Sequence, residues 1–400
     1  MQSATSPLPT LQEFDVSAER GFLPSDPSDL IPDAPALNHL ACNLSKLLTT
    51  RHVRPYIDQS DSLLPDIPSG WKDPDLRSAM RILSFVGHAY VWEVPERPAS
   101  TIPAGLAKPW ADIAQRLGRP PVLSYASYAL DNWRRLDPGK PVELDNIVLL
   151  QNFLGGQDEE WFVVIHVQIE GQAGPGLSGL LRAMQGAQRG QEDEVLLGLQ
   201  LLAQSQTEMR DTLLRMKERC DPYMYYNRVR PYIHGWKNSP SLPHGIVYED
   251  VPRFAGQPQQ FRGETGAQST IVPCLDAGLG IVHSPDPLTV YLQEMRDYMP
   301  PRHRAFLERL EGATDHLNRP ILSGFVRDRK FRSPELWEAY TTCVDLLAQF
   351  REIHVGYADS YIHRQSQTHA SNPTAVGTGG TPFMMYLQKH LDETKQALLN

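Results

Sequence analysis

SPELWEAYTTCVDLLAQFREIHVGYADSYI, residues 333–362, is the stretch on which the fold turns. Ser333, Pro334 and Glu335 open it as a helix, with a hydroxyl at the N-cap, proline in the first turn and an acid where the helix dipole favours one. Apolar or aromatic residues recur at Leu336, Tyr340, Cys343, Leu347, Phe350, Tyr357 and Tyr361. With His354 in the slot between Phe350 and Tyr357, the spacing alternates four and three and predicts one sustained buried face. A neutral imidazole on such a face needs partners for its nitrogens or costs desolvation energy. It reads either as a core histidine bonded to a backbone carbonyl or as an axial ligand to a haem lying against the helix, and spacing alone does not choose.

Working outward, helical spacing recurs at 37–54 (Leu40, Leu44, Leu47, Leu48), 74–92, 109–117, 125–135 and, as a clear amphipathic run, 192–218. The fourth of these ends just before the turn signal Asp137-Pro138-Gly139. Residues 161–169 are ambiguous: Phe162-Val163-Val164-Ile165 suits a buried strand locally and a buried helix among these neighbours. The first 36 residues, with six prolines, read as an extended lead-in, and 252–271 and 365–381 as long glycine-containing loops of the kind that are usually functional. With little strand signal and no internal repeat, the fold class expected is all-α.

Composition narrows the function classes. Of 400 residues, 41% are hydrophobic and 21% charged, enough for a substantial core. The net charge of −9, with no basic tract, disfavours nucleic acid as a partner. No apolar run has the length of a membrane span, and the first ten residues lack the pattern of a signal peptide. Cys42, Cys220, Cys274 and Cys343 show neither zinc-ligand nor disulfide-framework spacing, so each is expected as a small buried hydrophobe in a reducing, cytoplasmic compartment. Thirty-four prolines fit the lead-in and turns, and thirteen histidines await ranking.

The residues around His354 rank them. Glu338-Ala339-Tyr340, Cys343-Val344, Arg351, His354 and Tyr361-Ile362 stand as in indoleamine 2,3-dioxygenases. Gly21-Phe22-Leu23-Pro24 with Asp26-Pro27, Leu123-Ser124-Tyr125-Ala126 with Asn132-Trp133, and Gly235-Trp236-Lys237 also resemble that family. So do the glycine loop 261–270, Met295-Arg296-Asp297-Tyr298-Met299-Pro300-Pro301 with His303-Arg304, and Gly377-Thr378-Gly379-Gly380-Thr381. In this order across nearly the whole chain the resemblance is specific. It implies a small helical N-terminal domain, 1–150, capping a large helical haem domain, 151–400. It also implies haem b as cofactor, dioxygen as co-substrate and an indole as substrate, with L-tryptophan opened to N-formylkynurenine on the route toward NAD; a monomer is expected.

The resemblance also assigns roles. His354 is implied as the proximal ligand of the haem iron. Arg230 falls where the family binds the substrate carboxylate, which a guanidinium fork suits, although local sequence reads equally as a solvated arginine. Tyr225, Phe162 and Ile233 fall around the indole, Tyr125, Tyr128 and Ala129 along the inner pocket, and Thr378 in the C-terminal loop beside the substrate. Thr265 and Gly266 would approach substrate and a haem propionate, and Arg351 with Asp276 would stand beside a propionate or form an ordinary ion pair.

Three positions depart from the family. His166 stands where well-known members carry serine, resembling the distal histidine of tryptophan 2,3-dioxygenases. It would donate to bound dioxygen or accept the indole N–H. Tyr128 replaces a smaller side chain, and Glu264 replaces glycine; a carboxylate there faces solvent or pairs with a substrate ammonium. These changes leave open another indole substrate, single-oxygen insertion, or a non-catalytic haem sensor.

Overall fold

Apolar stripes at helical spacing need a second layer to cover them, and here other helices supply it. The computed structural model describes residues 8–368 and 384–398. Helix α1 (Pro35–Thr49) buries Leu37, Leu40, Leu44 and Leu48. It stops short of the predicted residue 54 because Arg51 turns into the left-handed region (φ 57°), and α2 (Val53–Asp58) restarts the chain. Helix α3 (Asp73–Trp92) is buried on every side from Ser78 to Trp92 and forms the centre of the N-terminal half.

Helix α4 (Ala104–Arg116) begins five residues before the predicted start at Pro109, which lies inside it. Proline there removes the amide that would bond the Gly105 carbonyl, and Leu63 N–H donates to that carbonyl instead at 3.1 Å. The predicted helix 125–135 is a single π-turn, Ala126–Leu130, followed by a strand. Asn132 diverts the chain: its amide donates to the Tyr128 and Gln151 carbonyls and its oxygen accepts Gln151 N–H. Strands are short: β1 (Thr101–Ile102) runs parallel to β4 (Val247–Tyr248), and β2 (Trp133–Arg135) antiparallel to β3 (Ile147–Leu149).

The ambiguous segment 161–169 is helical, inside the 33-residue α5 (Gln157–Arg189). Gly190, left-handed at φ 73°, returns the chain as α6 (Glu192–Leu214), which tightens to a 3-10 turn over Arg215–Glu218. The two helices touch backbone to backbone: a Cβ on Gly179 would lie 2.6 Å from Gly198 O, and one on Gly198 2.5 Å from Gly179 O.

Short pieces follow: α7 (Pro222–Met224), a π-turn at Tyr225–Val229, and α8 (Arg230–Ile233). After the glycine loop come α9 (Ile271–Leu279), α10 (Pro287–Met295), α11 (Pro301–Glu311) and α12 (Ile321–Arg327). The decisive stretch is α13 (Pro334–Ala358), continued by a π-turn (Asp359–His363) and α14 (Arg364–Thr368). Helix α15 (Met384–Gln396) packs back on α13, and α13 packs on α6. The fold is all-α, as expected. Of the predicted loop 365–381, residues 365–368 are helical and the rest, with Thr378, lie outside the described residues.

Candidate functional site

The predicted stripe on α13 is buried at Leu336, Tyr340, Cys343, Leu347 and Tyr361 but not throughout. Phe350 and Tyr357 are half-buried, and His354 is exposed, which corrects the expectation of a closed face. On α5 every residue from Trp161 to Ile169 is buried except Phe162 and His166, four apart and therefore on one face. Burial and then the charges of His166 and Arg351 push His354 down to about 4. An imidazole that is accessible and yet held neutral by the protein packed around it implies a recess beside α13, hereafter the chamber. His166, half-buried on α5, is near enough for its charge to be felt at His354, which puts it on the same side.

The two imidazoles are held differently. The Phe162 carbonyl, 2.7 Å from His166 Nδ1, only accepts hydrogen bonds, so the Nδ1 proton is fixed and Nε2 keeps its lone pair. Burial lowers the pKa of His166 against that bond, which keeps it neutral. No hydrogen bond from the described residues reaches the His354 imidazole, whose backbone belongs to the α13 ladder. A neutral, unengaged imidazole on a rigid helix, opposite a second imidazole, is the donor arrangement that an axial haem ligand needs, so these residues fit that group.

Aromatic rings wall the chamber. Phe162 lies 4.7 Å from the His166 ring and 4.6 Å from Tyr225; Tyr125 stands edge-on to His166 at 6.1 Å, and Tyr128 lies 6.4 Å from Phe162. Tyr225 in turn meets Tyr361 at 5.7 Å. Three π-turns supply or adjoin these residues: 126–130 carries Tyr128 and Ala129, 225–229 leads from Tyr225 into Arg230, and 359–363 follows His354. Such one-residue insertions re-aim side chains and recur at functional sites.

Arg230 is completely buried, with its guanidinium 5.1 Å over the Tyr226 ring, which removes the solvated reading. Ile233 is equally buried. The glycine loop is pinned beside them: Glu264 N–H donates to the Ile233 carbonyl at 3.1 Å, and Trp236 and Lys237 N–H donate to Phe261 O. Gly235 and Gly263 permit this, since a Cβ on either would fall within 2.2 Å of the other's backbone. Thr265 caps the 3-10 turn Gly266–Gln268, and a Cβ on Gly266 would meet nothing within 4 Å.

Glu264, expected to face solvent or a substrate ammonium, is 5% exposed, and burial pushes it up to about 8. The solvent reading fails because the pinned backbone turns the side chain inward, toward Tyr125, Tyr128 and Tyr225, all of which feel its charge.

Arg351 and Asp276 form a buried two-point ion pair at 2.9 and 2.6 Å, with Thr394 of α15 on the same guanidinium. Against burial, Arg351 and His283 hold Asp276 down at about 2. His283 also meets Glu393 at 2.7 Å. His283, His390 and Glu393 have donor types that suit a metal, yet the two rings stack face to face at 4.0 Å and 12°. Lone pairs in parallel ring planes do not converge on one ion, so the cluster is an ion-pair hub tying α15 to α9. Sequence spacing gave no sign of it.

A separate groove of about 1200 Å³ lies on another face of α5, lined by Trp161, Val164, Gln168, Arg215 and the 141–148 segment. It touches neither chamber histidine and gathers no reactive set. Cys220, Cys274 and Cys343 are buried as expected; Cys42 is exposed, because α1 turns that side to solvent. Among the described residues no helix is long and apolar enough to cross a membrane.

Comparison with known proteins bears on this geometry. The indoleamine 2,3-dioxygenase family model matches residues 10–397. The chain is 31% identical to indoleamine 2,3-dioxygenase 2 of Homo sapiens, with 98% of this chain and 96% of that protein covered. It is 32% identical to indoleamine 2,3-dioxygenase 1 of Rattus norvegicus over the same shares. A 6-hydroxytryptophan 2,3-dioxygenase of Fusarium equiseti is 31% identical, covering 92% of this chain and 89% of its own. With a match from end to end and two histidines facing one aromatic chamber, this chain is a member of the indoleamine 2,3-dioxygenase family, an enzyme of the haem-dioxygenase class.

Proposed function

We propose that this enzyme opens the C2–C3 bond of L-tryptophan with dioxygen, placing both oxygen atoms in N-formylkynurenine. The observation that carries the reading is the pairing of His354 with His166 across a chamber walled by Phe162, Tyr125 and Tyr225. Haem b would be held by His354, with Arg351, Asp276 and Thr265 toward its edge, and when bound it supplies dioxygen binding and the redox chemistry.

The chain's own residues bind and orient. The buried Arg230 fork meets the substrate carboxylate, and a charge-assisted pair in a dry site fixes its direction. Phe162 and Tyr225 hold the indole plane, with Ile233 and Ala129 filling the apolar remainder. His166 acts through Nε2. With its proton committed to the Phe162 carbonyl, it accepts the indole N–H rather than donating to dioxygen. Gly266 leaves room for close backbone approach, and we assign Thr378 to the same side. The 1–150 unit caps the 151–400 unit in this reading, and the free cysteines suit the cytoplasm.

Haem-loaded, reduced protein given tryptophan and labelled dioxygen should release N-formylkynurenine carrying two labelled oxygens. A product with one label, or no turnover of any indole, contradicts the proposal. A second reading, a ring-substituted tryptophan, is favoured by the buried Glu264 and by the Tyr128 hydroxyl, which is buried with no partner among the described residues. A panel of ring-hydroxylated tryptophans ranked by kcat/KM against tryptophan decides between them.

A further inference from the structure

Glu170 lies on α5 one turn beyond His166 and is 1% exposed. Its Oε1 accepts two hydroxyls, from Tyr125 at 2.9 Å and from Ser269 at 2.8 Å. Its Oε2 is buried with no hydrogen-bond partner among the described residues. One oxygen therefore joins three elements distant in sequence: α5, which carries His166; the π-turn, which carries Tyr128 and Ala129; and the glycine loop, which carries Glu264, Thr265 and Gly266.

The same joint is closed a second time through the backbone. Tyr125 N–H donates to Gln268 Oε1 at 2.8 Å, and Gln268 Nε2 donates to the Gly263 carbonyl at 2.9 Å. Tyr125, held at both ends, is the ring that stands edge-on to His166. A buried carboxyl with one unpartnered oxygen carries a desolvation penalty, whereas an apolar side chain of similar shape would pack there without it. Packing thus gives no reason for a carboxyl at this place, and its two hydroxyl bonds do.

Building on the dioxygenase reading, we propose that Glu170 is a positioning residue of the pocket. By holding Tyr125 and Ser269 on one oxygen, it locks the inner wall to the glycine loop and so sets the seat in which the indole lies beside His166.

The titratable groups around Glu170 are Tyr125 from the π-turn, Cys274 from α9, His166 on its own helix and Glu264 of the glycine loop beyond Tyr125. Burial, against the Ser269 and Tyr125 bonds, places Glu170 at about 7. Ionised, it holds both hydroxyls more tightly; neutral, Oε1 still accepts them as a carbonyl oxygen.

The test uses haem-loaded protein, with tryptophan affinity read from the haem absorption shift and, where turnover occurs, from KM and kcat, between about pH 5.5 and about pH 8.5. Wild-type affinity should rise with pH through an inflection near 7. Glu170→Gln keeps an acceptor oxygen but cannot ionise, so it should stay within about threefold of the wild-type low-pH affinity and lose the inflection. Glu170→Leu should weaken binding about tenfold, with kcat less affected. The inflection near 7 surviving in Glu170→Gln, as distinct from one near 8 belonging to Glu264, or wild-type affinity in Glu170→Leu, overturns the proposal. Should the leucine variant fail to take up haem, Tyr125→Phe decides: a several-fold loss of affinity together with a displaced pH inflection supports the proposal, and an inflection left where the wild type has it overturns the proposal whatever the affinity. Wild-type protein that binds tryptophan with this profile but turns over no indole removes the dioxygenase reading and leaves this one standing.

Discussion

His88 and His354 are both helical histidines set among apolar residues, and in the sequence they look alike. In the fold, His88 Nδ1 donates to the Tyr232 carbonyl at 2.8 Å and its Nε2 accepts Leu123 N–H at 2.9 Å, so both nitrogens are consumed within the core. Burial drives it to about 3, and nothing reaches it. His354 makes no such bonds and faces space. The difference depends on which carbonyl lies opposite, and that is set by tertiary contacts that helical spacing does not encode. At the same scale, His166→Ala should lower kcat for tryptophan about 10²-fold, as for loss of a positioned proton acceptor. The variant should also lose the wild-type preference for tryptophan over its indole N-methyl analogue, measured as a kcat/KM ratio. A preference that survives would show that Nε2 does not receive the indole N–H. Arg230→Lys keeps the charge but not the fork, so KM for tryptophan should rise about tenfold or more; an unchanged KM would remove Arg230 from carboxylate binding.

Among the elements, long amphipathic helices were legible and their interruptions were not. The α13 stripe and the α1 leucines mark helices because a 3.6-residue period shows itself over several turns. The three π-turns each add one residue to a turn, which the same periodicity reads as noise. For that reason 125–135 reads as helix in sequence and is a π-turn and strand in the fold. The backbone contact of α5 with α6 makes a strong prediction. Gly198→Ala would drive a methyl to 2.5 Å from Gly179 O, so it should lower unfolding free energy by about 1–3 kcal/mol in urea melts. The Asp276 hub makes another. Asp276→Asn leaves buried Arg351 without its carboxylate and should cost about 3–5 kcal/mol. Asp276 sits at about 2 in the fold against an ordinary 3.8, so its contribution is present above about pH 4 and is lost as pH falls through about 2. Urea melts of wild type and variant should converge at the acid end; a gap independent of pH would mean that the effect is packing rather than charge.

In the whole molecule, the chamber draws on segments near residues 125, 162, 230, 264 and 354, which no local reading could bring together. The ordered motifs, running from Gly21 to Thr381, mark the family instead, and the match over 10–397 agrees with them. The motifs did not reveal the support behind the named residues. Glu170, Ser269 and Gln268 hold the wall that Tyr125 presents, and Glu170, one turn after His166 on the same helix, lies outside every one of those motifs. The central claim is that His354 holds haem from α13 while His166 stands opposite without ligating it. Haem titration of wild type, His354→Ala and His166→Ala, followed by visible absorption, tests it most directly. The account predicts one haem per chain in wild type and in His166→Ala, with stoichiometric uptake lost in His354→Ala; full haem retention with an unchanged spectrum in His354→Ala would contradict it.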